Sequence, residues 1–208
     1  MITQITFDEV VKLIKTSPEQ AIFDWKSDFA PPTDDEKRGE LIKDISAIAN
    51  AITTSYGFII YGVDPRRSDP ILGISARYDD AKIQQLIKGK IEPPVKFLYY
   101  EVTAGPRAVG VLQIIPTRSR PHIIRVDIGK VRKGQIVIRR GSSTDGADIN
   151  DLFEFFYGQH SKYFQNVLHN LRANVDQQNA TTNYLRELRE ASEQARRDME
   201  DIIGIKLR

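Results

Sequence analysis

The six residues Phe58-Ile59-Ile60-Tyr61-Gly62-Val63 are the longest apolar run in the chain, lying between the turn Tyr56-Gly57 and the break Asp64-Pro65. A short run that is apolar on both faces reads as a strand covered on both sides. Such a strand must sit centrally in a sheet, with packed layers on each face. It is also far too short to span a bilayer. The elements around it mix helical and strand periodicity. The fold class expected is therefore α+β: a mixed sheet flanked by helices, followed by a long helical, coiled-coil-like extension.

Thr6 and Glu9 form a capping-box pattern ahead of Phe7, Val10, Val11 and Ile14, which predicts a helix over 7–15. Pro18 ends it, and Glu19 to Lys26 reads as a strand. After the loop 28–35, with its two prolines, a helix is expected from about Asp34 to Thr53. Leu41, Ile45, Ile48 and Ile52 form its apolar face, and Asn50 lies near its end, where a polar side chain can face a site. Residues 69–74 read as a turn and short strand, 78–88 as a helix, and 95–102 and 108–115 as a hairpin. Further strands are expected at 122–126 and 135–140, and a fourth helix near Asp148.

From Ser161 to Ile203 there is no proline and no glycine. Leu185, Leu188, Ser192, Ala195, Met199 and Ile202 recur at steps of three and four, a heptad seam with small residues in its middle. This is either a helix lying on its own domain or a coiled coil joining protomers. The sparse apolar face favours the second, so a homo-oligomer through residues 161–203 is expected. The division is residues 1–158 as one domain and 159–208 as an extension.

Composition excludes several chemistries. There is no cysteine, so disulfides, thiolate zinc sites and cysteine nucleophiles are all absent. None of the three histidines has ligand spacing. There is no phosphate-binding G-x-x-x-x-G-K-[ST] motif and no G-x-S-x-G. The N-terminus lacks the pattern of a signal peptide, and a cytoplasmic location with no membrane association is expected.

Two stretches carry candidate chemistry. In Pro18–Lys26, Asp24 and Lys26 are two apart and project from one strand face, with Glu19 just upstream. A carboxylate on so apolar a strand is costly to bury without a partner or a metal. Asp64, at the end of the central strand, is either a turn residue before proline or a site residue. The second stretch holds Arg118, Arg120, Arg125, Lys130, Arg132, Lys133, Arg139 and Arg140, opposed only by Asp127, in a chain whose net charge is +2. One-signed charge of this kind suits phosphate binding; the alternative is a solvated hairpin. Gly141-Ser142-Ser143-Thr144 follows, either presenting backbone N–H groups to a phosphate or making a polar turn.

Taken in order, these segments resemble the Schlafen-type AlbA_2 domain over roughly residues 10–157. The resemblance rests on E19-Q-A-I-F-D24-W-K26, on D-I-S-A-I-A-N-A-I-T-T-S-Y-G (44–57) and on F-I-I-Y-G-V-D-P (58–65) with I-L-G-I (71–74). It rests also on I-P-T-R-S-R-P-H (115–122) and V-I-R-R-G-S-S-T (137–144). It implies a nucleic-acid-binding module. In its nuclease members it implies a metal-dependent endoribonuclease acting on tRNA or other structured or single-stranded nucleic acid, in stress or anti-phage defence. The acids carried over are Glu19, Asp24 and Asp64, holding Mg²⁺ or Mn²⁺, with Lys26 set to neutralise phosphate charge. The alternative within the family is a non-catalytic nucleic-acid-binding regulator. This chain departs from the family pattern in having aspartate at position 24, where glutamate is more usual, and Tyr56-Gly57 in place of a double glycine.

Overall fold

The central strand is β2, Gly57–Tyr61, and every one of its residues is buried. The computed structural model describes residues 3–16, 22–29, 32–51, 54–156 and 181–203, grouped into two compact units, Met1–Phe155 and Phe156–Arg208. In the first unit β1 (Phe23–Lys26) runs parallel to β2, with Asp24 opposite Ile59 and Lys26 opposite Tyr61. On the other side of β2 lies β5 (Arg107–Ile114), antiparallel, and beyond it β4 (Phe97–Ala104). The order is β1-β2-β5-β4, a mixed sheet as expected.

The period of two along β2 separates two cores. Phe58 and Ile60 face Val10, Phe23, Val109 and Val111 beneath α1 (Phe7–Thr16). Ile59 and Tyr61 face Ile42, Ile45, Ile48, Leu112 and Ile114 beneath α2 (Asp35–Ala51). The capping box at α1 forms: the Thr6 N–H donates to Glu9 Oε2 at 2.6 Å, and the Glu9 N–H to Thr6 Oγ1 at 3.3 Å.

The helix α2 is covered almost all round. From Leu41 to Asn50 every residue but Lys43 is buried, because the helix packs on the sheet and also on β6 (Ile123–Ile124) and β7 (Val137–Arg140). Burying an isoleucine is worth about 1.5–3 kcal/mol, against a helix-propensity penalty of at most about 0.7 kcal/mol. Packing therefore decides the conformation of this isoleucine-rich segment. Close approach has its own requirement: a Cβ on Gly39 would lie 2.5 Å from the Ile128 carbonyl oxygen, so the loop at 128–129 lies directly on the helix.

Beyond these lie α3 (Asp80–Ile87), β3 (Ile91–Glu92) paired with β6, and β7 paired with β8 (Ser143–Gly146). The helix α4 spans 149–156, with Asp148 accepting the N–H groups of Asn150 and Asp151. In the second unit α5 runs Thr181–Ile203. Its seam residues Leu188, Ala195 and Met199 are half-buried, and Arg189–Glu193 and Arg196–Glu200 pair along its surface.

Several boundaries differ from the pattern. The hairpin strands run further toward the turn, the first by two residues and the second by one, so that the turn narrows to Gly105-Pro106. The central strand ends at Tyr61 because Gly62 takes φ +82°, and of the 69–74 segment only an Ile71 bridge to Val63 forms. Strands β3 and β8 were not legible, the second because Gly-Ser-Ser-Thr reads as loop when it is a hairpin turn and its return strand. Glu19 and the early part of the predicted first strand lie outside the described residues, as does 161–180 of the predicted extension. No described helix is long and apolar enough to cross a membrane.

Candidate functional site

Asp24 lies on β1 facing α2 and is 3 % exposed. Its Oδ1 accepts from Arg139 Nη2 at 3.1 Å, and its Oδ2 lies 2.9 Å from the Lys26 ammonium. Lys26 reaches a second acid, Asp44 on α2, also at 2.9 Å. Arg139, on β7, is itself buried. Charged groups from β1, α2 and β7 thus meet in one network, with Lys43 at its edge 4.0 Å from Asp44, and the two lysines are its exposed members, each side chain at 38 %.

The electrostatics follow from that enclosure. Burial opposes the Lys26 charge, but Asp44 and then Asp24 outweigh it and hold the ammonium above the ordinary lysine range. Burial pushes the Asp44 carboxyl up, with Lys26 opposing. Burial and the same two carboxylates drive the Tyr61 phenol, on the same face, well above its usual value.

Asp64 stands in a separate group. It follows β2 and pairs with Arg66 Nε at 3.0 Å and Arg67 Nε at 3.5 Å. The hydrogen bonds from Arg66 hold its carboxyl below the usual range. The structure therefore brings Asp24 and Lys26 together and gives Asp64 other partners. These donors decide the fit to a divalent ion. Both Asp24 oxygens face cations, both Asp64 oxygens face arginines, and among the described residues no three acids or histidines gather as a metal site. Of the three acids expected to hold Mg²⁺ or Mn²⁺, Asp24 and Asp64 are thus engaged by cations, and Glu19 lies outside the described residues.

The basic segment divides into two sets. Arg120 donates to the Asn50 carbonyl at 2.9 Å and lies over the Phe155 ring. Arg139 is buried on Asp24, and Arg140 pairs with Asp148 and Asp151 at the start of α4. The others, Arg118, Arg125, Lys130, Arg132 and Lys133, are exposed. Arg125 pairs with Glu92 at 3.2 Å, Lys130 with Glu36 at 2.8 Å, and Arg132 donates to the carbonyls of its own turn. Exposed pairs of this kind contribute little, roughly 0–1 kcal/mol.

One residue escaped the sequence reading, and a second that it singled out takes a structural role. Asp44 falls on the apolar stripe of α2, three residues after Leu41, and a charge at a core position was the available signal. Asn50 proves to be an internal brace. Its Nδ2 donates to the carbonyls of His122 at 3.0 Å and Val137 at 2.8 Å, and its Oδ1 accepts the His122 N–H at 2.7 Å. It ties the end of α2 to the segment entering β6 and to the first residue of β7.

A parallel strand carrying acid-x-lysine beside a doubly buried strand, with a Gly-Ser-Ser-Thr hairpin folded over a central helix, defines an AlbA_2-type domain. The family model described as Schlafen, AlbA_2 matches residues 19–148, more than half of the chain, and the chain belongs to that family. No curated protein matches the sequence at a significant level. Among solved structures, the N-terminal domain of a protein described as related to the ATP-dependent DNA helicase RecG, from Nitrosomonas europaea, is similar at 14 % identity. That match covers 71 % of this chain and 95 % of the other, with a TM-score of 0.43.

Proposed function

We propose that this protein binds nucleic acid through its phosphates, as a non-catalytic AlbA_2 module. The observation that carries the reading is the exposed cation set Arg118, Arg125, Lys130, Arg132 and Lys133, within a domain of this family. Tertiary structure enlarges the set. The Arg125 N–H donates to the Lys90 carbonyl at 2.8 Å, which brings the segment bearing Lys88 and Lys90 alongside. Residues 118–140 contain no Phe, Tyr or Trp, so bases find no aromatic platform there, and recognition is of the backbone. RNA, including tRNA, is the favoured partner, as the family resemblance implies.

The hydrolytic reading, an endoribonuclease using Mg²⁺ or Mn²⁺, draws on the adjacency of Asp24 and Lys26. It requires Asp24 and Asp64 to leave their cations and to join Glu19, which lies outside the described residues. The same assay separates the two readings. Fluorescence anisotropy with tRNA, duplex and single-stranded probes is run across a salt series, and the probes are then examined for cleavage with Mn²⁺. Salt-dependent binding with intact probes is expected. Binding indifferent to salt would refute the phosphate reading. Cleavage lost in both Asp24→Ala and Asp64→Ala would put hydrolysis in its place.

A further inference from the structure

We infer that Asp24 and Lys26, the acid-x-lysine pair, act in this chain as an ion clasp that fastens the β7–β8 hairpin onto the parallel strands, and not as a metal ligand and its neighbour. Arg139 on β7 reaches Asp24 on β1 across 115 positions of sequence. Lys26 carries the connection on to Asp44 of α2. Adjacent strand residues face opposite ways, so Arg139 anchors the hairpin inward while Arg140 grips Asp148 and Asp151 on the other side. The turn Gly141-Ser142 is thereby held from both faces of its strand.

Charge balance supports the clasp. Among the described residues the two carboxylates meet Arg139, Lys26 and, 4.0 Å from Asp44, Lys43, which leaves no surplus negative charge there to draw a divalent ion. A guanidinium stays charged at any working pH, and Arg139 has no exposed route out, its side chain being 4 % accessible. A metal on Asp24 would have to sit beside Arg139 and Lys26 both. Removing Asp24 takes a carboxylate from the buried Arg139, and removing Arg139 takes a cation from the buried Asp24, whereas removing both loses the two opposite charges together. Asp24 and Arg139 are accordingly positioning residues, and their role stands whether or not the protein binds nucleic acid.

The test is a double-mutant cycle on the full chain with Asp24→Asn, Arg139→Gln and the two combined, unfolded in urea and followed by the fluorescence of Trp25. Free Mn²⁺ is measured in parallel by electron paramagnetic resonance. Each single change should lower the unfolding midpoint, and the double change should lose clearly less than the two losses added. Wild type should show no one-to-one Mn²⁺ site at micromolar concentration. Additive losses overturn the clasp. So does a stoichiometric micromolar Mn²⁺ site in wild type, unless Asp24→Asn retains it. Should a single variant fail to fold, the wild-type Mn²⁺ titration alone decides.

Discussion

Replacing Asn50 by alanine should destabilise the first unit more than any surface change. Asn50 is fully buried and makes three hydrogen bonds, two as donor and one as acceptor. Its loss orphans the Val137 carbonyl and the His122 N–H. The His122 carbonyl keeps only the Ser46 hydroxyl at 3.4 Å. At roughly 1–3 kcal/mol for each buried group left unsatisfied, two full orphans and one weakened acceptor come to about 4 kcal/mol. That is a large part of the 5–15 kcal/mol typical of a whole domain. Urea unfolding followed at Trp25, the single tryptophan, should show a lower midpoint with unchanged slope. Asn50→Asp sharpens the test. It keeps the acceptor but sets a carboxylate against two carbonyl oxygens, so at neutral pH it should be worse than alanine. As the pH falls and the carboxyl protonates, it regains a donor and the gap should close. A loss under about 1 kcal/mol for alanine, or an aspartate variant as stable as wild type, would refute the brace.

Other consequences follow from the same geometry. His122 is buried, with Nδ1 2.6 Å from the Pro93 carbonyl oxygen; burial, partly offset by that carbonyl and reinforced by Arg120, holds its pKa below the usual value. The fold thus favours neutral imidazole, so its contribution is complete above about pH 6.5 and falls away as the pH drops toward the lowered folded value. An NMR titration of the imidazole, with unfolding midpoints across that range, checks the sign. Gly39→Ala should destabilise, although alanine ordinarily gains about 1 kcal/mol over glycine inside a helix, because its Cβ would meet the Ile128 carbonyl oxygen at 2.5 Å; thermal unfolding reads the direction. Removing Arg125, Arg132 and Lys133 together should flatten the salt dependence of duplex DNA binding, by about 0.9 in log–log slope for each phosphate no longer neutralised. Glutamate at Leu188 and Met199 should reduce the mass seen by light scattering if α5 joins protomers, and an unchanged mass would leave that seam as a surface of a single chain.

How far the sequence reached is clearest along β2. Apolar residues on both faces identified the central strand, and the capping box placed α1, because both signals are local and need no partner to be legible. Asp24 and Lys26 were likewise placed on one face by the period of two. The partners of Asp24 were another matter. Arg139 was counted with the basic segment because like charges look alike in sequence, yet strand alternation and the position of β7 over α2 turn this one inward and leave Arg140 outside. Asp44 and Asn50 are buried because α2 is covered on two sides, which its own pattern of Leu41, Ile45 and Ile48 only half declares.

The sequence by itself determined the family, the mixed class of the fold and the two charged stretches, since these rest on periodicity, turn chemistry and motif order. Only the tertiary structure decided which charges are spent inside the molecule and which remain for a partner. Pairing between groups 115 positions apart depends on strand order and on the third layer over α2, and no local rule of residue spacing encodes either.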